Sequence, residues 1–195
     1  PTKGESLSVI AVGGYGRAEM APYSDIDLLF LTPYKQTAWG ENVIESILYL
    51  LWDLGLKVGH SVRNIEESLR LAKTDITIRT ALLENRFIYG EPELAQDLST
   101  RLWSEVFKDT ASEFISEKLK ERDIRHKKQG SQRYLLEPNI KEGKGGLRDL
   151  QTLYWISKYV YKIGTKKDLI KFNLFTANEL RLFSQAEDFL WTVRC

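Results

Sequence analysis

The chain has 195 residues, with 28 Lys and Arg against 27 Asp and Glu, a formal charge of +1. Hydrophobic residues at 43% and charged residues at 28% are the balance of a globular protein, which excludes disordered, collagen-like and coiled-coil readings. The longest stretch without a charge, Ser6 to Gly16, falls well short of the ~18 apolar residues of a membrane-spanning helix. One cysteine, Cys195, excludes an internal disulfide, and two histidines, His60 and His126, argue against a His-rich metal centre.

In chain order, Leu7 to Val12 is a β-branched apolar run ending in Gly13-Gly14, a strand feeding a tight loop. Ile26 to Leu31, closed by Thr32-Pro33, reads as a buried strand. From Thr37 to Leu54 the apolar residues Val43, Ile44, Ile47, Leu48, Leu51 and Trp52 recur at helical spacing. Lys57 to Val62 is a further strand, and Asn64 followed by Glu67 is a capping arrangement that opens the next helix. Leu83 to Tyr89, closed by Gly90, is expected to be a strand.

After Glu91-Pro92 glycine is scarce as far as Gly130, and Leu94, Leu98, Leu102, Val106, Phe114 and Leu119 follow helical spacing. Asp149 to Lys162 and Asn178 to Val193 are two more amphipathic helices. The expectation is an α+β domain over 1–95 and an all-helical domain over 96–195. No initiator Met or signal peptide opens the chain, and no Gly or Pro stops its last helical run, so it reads as a fragment of a longer protein. A reducing, cytoplasmic setting fits the cysteine content.

The chemistry concentrates in Val9-Ile-Ala-Val-Gly-Gly-Tyr-Gly-Arg17 and Ser24-Asp-Ile-Asp-Leu-Leu-Phe-Leu31. Asp25 and Asp27, two apart at the start of a strand, put both carboxylates on one face. Two buried carboxylates that close repel unless a cation lies between them, and hard oxygen ligands suit Mg²⁺. The apolar run after Asp27 argues against an exposed surface pair. Gly13, Gly14 and Gly16 let the backbone bend and offer N–H groups to phosphate oxygens. Their spacing is neither a dinucleotide-binding fingerprint nor a P-loop. Residues 117–148 hold ten Lys and Arg against five acids. For Lys118 to Lys128 this reads as a solvated helix face. Lys141, Lys144 and Arg148 instead surround Gly143, Gly145 and Gly146 just before a helix, a ready anion site.

Strand, Gly-Gly, short helix with Arg17, then Asp-x-Asp on the next strand resembles the DNA polymerase beta-like nucleotidyltransferase superfamily. Within it, Gly-Gly-Tyr-Gly-Arg and Pro22-Tyr-Ser-Asp-Ile-Asp27 are similar to the family of uridylyltransferases that modify the nitrogen-signalling protein PII. Glu137-Pro-Asn-Ile-Lys-Glu-Gly-Lys-Gly-Gly-Leu-Arg-Asp-Leu-Gln151 resembles that family's motif in the helical domain. Ala18-Glu-Met-Ala21 departs from the family's usual Gly-Glu-Leu, a change expected in packing and not in chemistry.

The resemblance implies a mixed sheet with flanking helices followed by a helical bundle. It implies Asp25 and Asp27 as metal ligands, with a third carboxylate facing them. Glu84, two residues before Arg86, is the candidate. Asp75 is its rival but reads better as a helix N-cap. Gly13, Gly14, Arg17, Ser24, Lys144 and Arg148 would bind the nucleotide; Asp149 serves there too or caps its helix. The implied reaction moves UMP from UTP to a tyrosine hydroxyl of PII, with Mg²⁺ or Mn²⁺ as cofactor. Protein adenylylation, nucleotide transfer to a small molecule, and a non-catalytic nucleotide sensor are the alternatives. A DNA partner is disfavoured by the charge of +1. Family members continue into a phosphohydrolase and glutamine-sensing ACT domains, which the resemblance places outside these residues.

Overall fold

The computed structural model describes residues 6–34, 37–128 and 139–195. It divides into two compact units, 1–108 and 109–195. The first contains β1 (Ser8–Ala11), α1 (Gly13–Gly16), β2 (Ile26–Thr32), α2 (Ala38–Asp53), β3 (Val58–Asn64), α3 (Ile65–Thr74), α4 (Ile76–Leu83), β4 (Arg86–Gly90) and α5 (Pro92–Arg101). A π-helical turn over Leu102–Val106 follows.

The four strands make one mixed sheet in the order β3-β2-β1-β4. β1 runs antiparallel to both β2 and β4, whereas β2 and β3 are parallel. Alternation along β2 settles the layers. Leu28 and Phe30 join Leu7 and Val9 and pack on Ile44 and Leu48 of α2. Asp27, Leu29 and Leu31 therefore face the other way. That second face is also apolar beyond its first residue, since Leu29 and Leu31 are fully buried. Asp27 is thus the polar start of a strand whose continuation belongs to a core.

Helix starts follow the expected capping chemistry. The Asn64 side chain accepts from the Glu67 N–H at 2.8 Å, and Asp75 accepts from Thr77 N–H at 2.7 Å and Ile78 N–H at 3.1 Å. The second cap opens α4, as the N-cap reading of Asp75 expected. The helix includes Leu83, where a strand was expected to start, and the strand begins only at Arg86. α5, whose Leu98 is fully buried, folds with the sheet, so the division lies at 108/109 where composition suggested 95/96.

The second unit contains α6 (Ala111–Lys128), α7 (Leu147–Tyr161), α8 (Asp168–Lys171) and α9 (Ala177–Arg194). Phe114 of α6 stacks on Tyr159 of α7 with ring centroids 3.9 Å apart, and the Tyr159 hydroxyl shares a 2.6 Å hydrogen bond with Thr110. α9 opens on a Thr176/Glu179 capping box. Among the described residues no helix is long and apolar enough to cross a membrane.

Candidate active site

The site in the first unit is built where β1 ends. Val12 is extended, and its N–H donates to the Asp27 carbonyl at 3.0 Å, so β1 and β2 stay zipped up to the turn. Gly13 then takes φ +59, a left-handed value that costs an L side chain strain. A Cβ there would also lie 3.3 Å from Asp27 Oδ2. The glycine turn and the carboxylate of β2 therefore meet. The first-turn N–H groups of α1 have no intrahelical partner. The turn is closed by Gly16 N–H to Val12, Arg17 N–H to Gly13 and Glu19 N–H to Gly14, at 3.0, 3.2 and 3.1 Å.

Asp25 is exposed just before β2, and Asp27 is half-buried. Burial pushes the Asp27 carboxyl above the usual range, and the negative charge of Asp25 adds to that. Ser24, half-buried, follows a turn in which its N–H donates to the Ala21 carbonyl at 3.1 Å and Tyr23 has φ +62.

Glu84 sits elsewhere than expected. It is the C-cap of α4 and not a strand residue, and it is 2% exposed. Its Oε2 lies 4.0 Å from Arg17 Nε. That same Arg17 nitrogen donates to Glu19 at 3.1 Å, and its side chain is 10% exposed. Arg17 is therefore held among carboxylates beneath the turn. Asp75, the rival third acid, is a helix cap.

Among the described residues no group of three or more His, Cys, Asp or Glu side chains is placed to hold a metal ion. Asp27 lies against the Gly13 turn and Asp25 stands two residues before it, so the pair offers hard oxygen donors at the turn. That set fits a divalent ion that arrives with phosphate oxygens, because Mg²⁺ keeps waters and takes one or two carboxylates plus substrate phosphates. It does not make an all-protein cage.

Two contributors escaped the sequence reading. Arg86, at the start of β4, donates to the Tyr15 carbonyl at 2.8 Å and the Gly16 carbonyl at 3.1 Å, and lies over the Tyr15 ring at 5.3 Å. It pins the C-terminal end of α1, an orphan-carbonyl role of a kind basic residues fill. Gly59 lies directly across from Asp27 on β3. A glycine inside a strand is a recognised sign of close approach, and it was the available signal.

The second glycine loop is in the other unit. Gly143 N–H donates to the Asn139 carbonyl at 2.8 Å, and Asn139 Oδ1 accepts from Glu142 N–H at 2.8 Å. Asp149 accepts from Gly145 N–H at 2.8 Å, from His126 Nε2 at 2.9 Å and from Arg125. Burial works against the Asp149 carboxylate, but the Gly145 N–H, His126 and Arg125 prevail and hold its carboxyl below the usual carboxylate range. Asp149 is thus a structural tie for the loop. Arg148 turns along its own helix, donating to Gln151 at 3.0 Å and Glu142 at 3.3 Å and lying over Trp155. Lys141 lies 4.0 Å from Glu142, whereas Lys144 is exposed with no ion pair among the described residues. Lys118, expected on a solvated face, is 3% exposed between Phe114 and Trp155 and pairs with Glu121 at 2.7 Å. Arg133, Glu137 and Pro138 lie outside the described residues.

Comparison with known proteins agrees with this division. A nucleotidyltransferase domain model matches residues 2–83, and a model described as GlnD PII-uridylyltransferase matches 113–195. The bifunctional uridylyltransferase/uridylyl-removing enzyme of Ruegeria pomeroyi is 62% identical over 194 residues, 100% of this chain and 21% of its own length. The enzymes of the same name from Cereibacter sphaeroides and Novosphingobium aromaticivorans are 61% and 58% identical over 100% and 98% of this chain. The chain spans about a fifth of the length of each of these curated relatives.

Proposed function

We propose that the chain belongs with the bifunctional uridylyltransferase/uridylyl-removing enzymes it resembles and carries their transfer chemistry: UMP passes from UTP to a tyrosine hydroxyl of PII, and pyrophosphate leaves. The observation that carries the reading is the meeting of the glycine turn with Asp27, 3.3 Å from where a Gly13 Cβ would stand. Amides able to receive phosphate oxygens beside a carboxylate able to hold a divalent ion suit a metal-bound nucleoside polyphosphate.

Asp25 and Asp27 would hold Mg²⁺ or Mn²⁺, which when bound supplies charge neutralisation at the phosphates and makes the attacking hydroxyl more acidic. In the reaction the hydroxyl gives up its proton to solvent and its oxygen bonds to the α-phosphorus as the bond to the pyrophosphate oxygen breaks. The amides of Gly13 and Gly14 receive phosphate oxygens and stabilise the charge that gathers on the leaving group. Ser24 offers a hydroxyl beside the carboxylate pair. Arg17 and Glu84 support the turn from below through their mutual contact, and Arg86 fixes its far end. Lys144 is proposed as an anion contact on its own loop, and Arg148 as the brace of that loop. Uridylyl removal, the other activity in the relatives' name, is assigned to the four fifths of their length that this chain does not span.

The test is transfer of label from α-³²P-UTP to PII by the chain, beside its Asp25→Asn and Asp27→Asn variants. Label on a PII tyrosine that disappears in both variants supports the reading. Label from ATP and not UTP would replace uridylylation with adenylylation, and transfer undiminished in both variants would remove the carboxylate pair from the mechanism.

A further inference from the structure

We propose that Gly59 is a positioning residue for Asp27, its missing side chain being the slot in which the Asp27 carboxylate lies. The proposal rests on the nucleotidyl-transfer reading above and names a residue of the same site. β2 and β3 run parallel with Asp27 directly opposite Gly59, so anything at residue 59 leaves the sheet on the same face as the carboxylate. A Cβ at residue 59 would stand 2.6 Å from Asp27 Oδ1 and 3.8 Å from its Cγ. The other oxygen, Oδ2, is 3.3 Å from the place of a Gly13 Cβ. The carboxylate is therefore flanked on both sides by glycines from different elements.

Conformation does not explain the glycine. Gly13 has φ +59, but Gly59 is not among the residues with positive φ, so its backbone would accept alanine. A glycine inside a strand loses entropy and packs nothing, and this one stands in an edge strand where β-branched residues would serve better. What it provides is space.

The experiment is a four-membered cycle of wild type, Gly59→Ala, Asp27→Ala and the double variant, read by uptake of Mn²⁺ in the presence of UTP and by metal-free thermal melting. Gly59→Ala is expected to raise the Mn²⁺ concentration for half-saturation at least tenfold and to lower the melting temperature. In the Asp27→Ala background the same change should leave melting unchanged or raise it. A Gly59→Ala chain that fails to fold while the double variant folds supports the proposal equally, because the clash is then with Asp27. Uptake within twofold of wild type, the same loss of melting temperature in both backgrounds, or failure of both variants to fold would overturn it. If wild type takes up no Mn²⁺ with UTP, the transfer reading fails, and the melting cycle still decides whether Gly59 and Asp27 are coupled.

Discussion

Replacing Asp27 by Asn should stabilise the metal-free chain at neutral pH while removing its affinity for a metal–nucleotide pair. Asp27 is half-buried, and its carboxyl is pushed upward by burial and by Asp25. Two residues apart on an extended chain, the two carboxylates are separated by about 7 Å. At that distance their repulsion is about 0.6 kcal/mol in water's dielectric and about 2.4 kcal/mol at an effective value of 20. Because Asp25 is exposed, the lower part of that range applies, and with some relief of desolvation the gain is about 1 kcal/mol. The amide is isosteric and fits the same space, so no cavity offsets it. For a unit of about 100 residues this is about 4 °C in melting temperature.

The pH dependence follows from the sign of the shift. A carboxyl with a raised folded pKa binds its proton more tightly in the native state, so wild type loses stability as pH rises from the unfolded value, 3.8, through the folded one. The Asn variant has no such titration. The two melting curves should therefore converge in acid and separate toward pH 7. Saturating Mn²⁺ and UTP reverse the order, since ligand at 100 times its dissociation constant adds about 2.7 kcal/mol to wild type alone. An Asn variant less stable than wild type by 1 kcal/mol at pH 7 without metal, or one stabilised by Mn²⁺ and UTP as wild type is, would refute the reasoning.

Arg86→Ala removes both hydrogen bonds that hold the end of α1 and should weaken UTP binding about tenfold, with a stability loss of about 1–2 kcal/mol; calorimetric titration beside thermal melting checks this, and unchanged affinity would reduce Arg86 to a surface residue. Asp149→Ala leaves Arg125 and His126 facing an empty place and should cost the helical unit about 2–4 kcal/mol in urea unfolding. Because the folded pKa of Asp149 is depressed, its contribution is present above the unfolded value, 3.8, and is lost as pH falls through the folded one, so the difference between wild type and variant should close in acid. Lys144→Ala, at an exposed position, should leave melting within about 0.5 kcal/mol, while a several-fold rise in the UTP dissociation constant would mark it as an anion contact.

The residues that could be read from the sequence are those whose role is local. Asp25 and Asp27 are close enough along the chain for the charge of one to raise the carboxyl of the other, and Asn64 and Asp75 cap helices because a short polar side chain reaches the N–H groups two or three residues on. Gly13 precedes a short helix for the same kind of reason. The misplaced elements are those where local preference and tertiary packing disagree. The apolar run from Leu83 to Tyr89 favours a strand, yet its first residue ends the helix that Asp75 caps, because Leu82 and Leu83 are buried as its last turn. That helix end places Glu84 off the strand where it was expected, with its carboxylate 4.0 Å from Arg17. Arg86 and Gly59 act only through register: one through a strand pairing more than seventy residues distant from the turn it pins, the other through a parallel neighbour. No periodicity encodes such a pairing. A site of this kind therefore has its reactive carboxylates written in one short segment and its geometry distributed over three strands. Substitutions at Gly59 and Arg86 probe that second layer, and those at Asp25 and Asp27 the first.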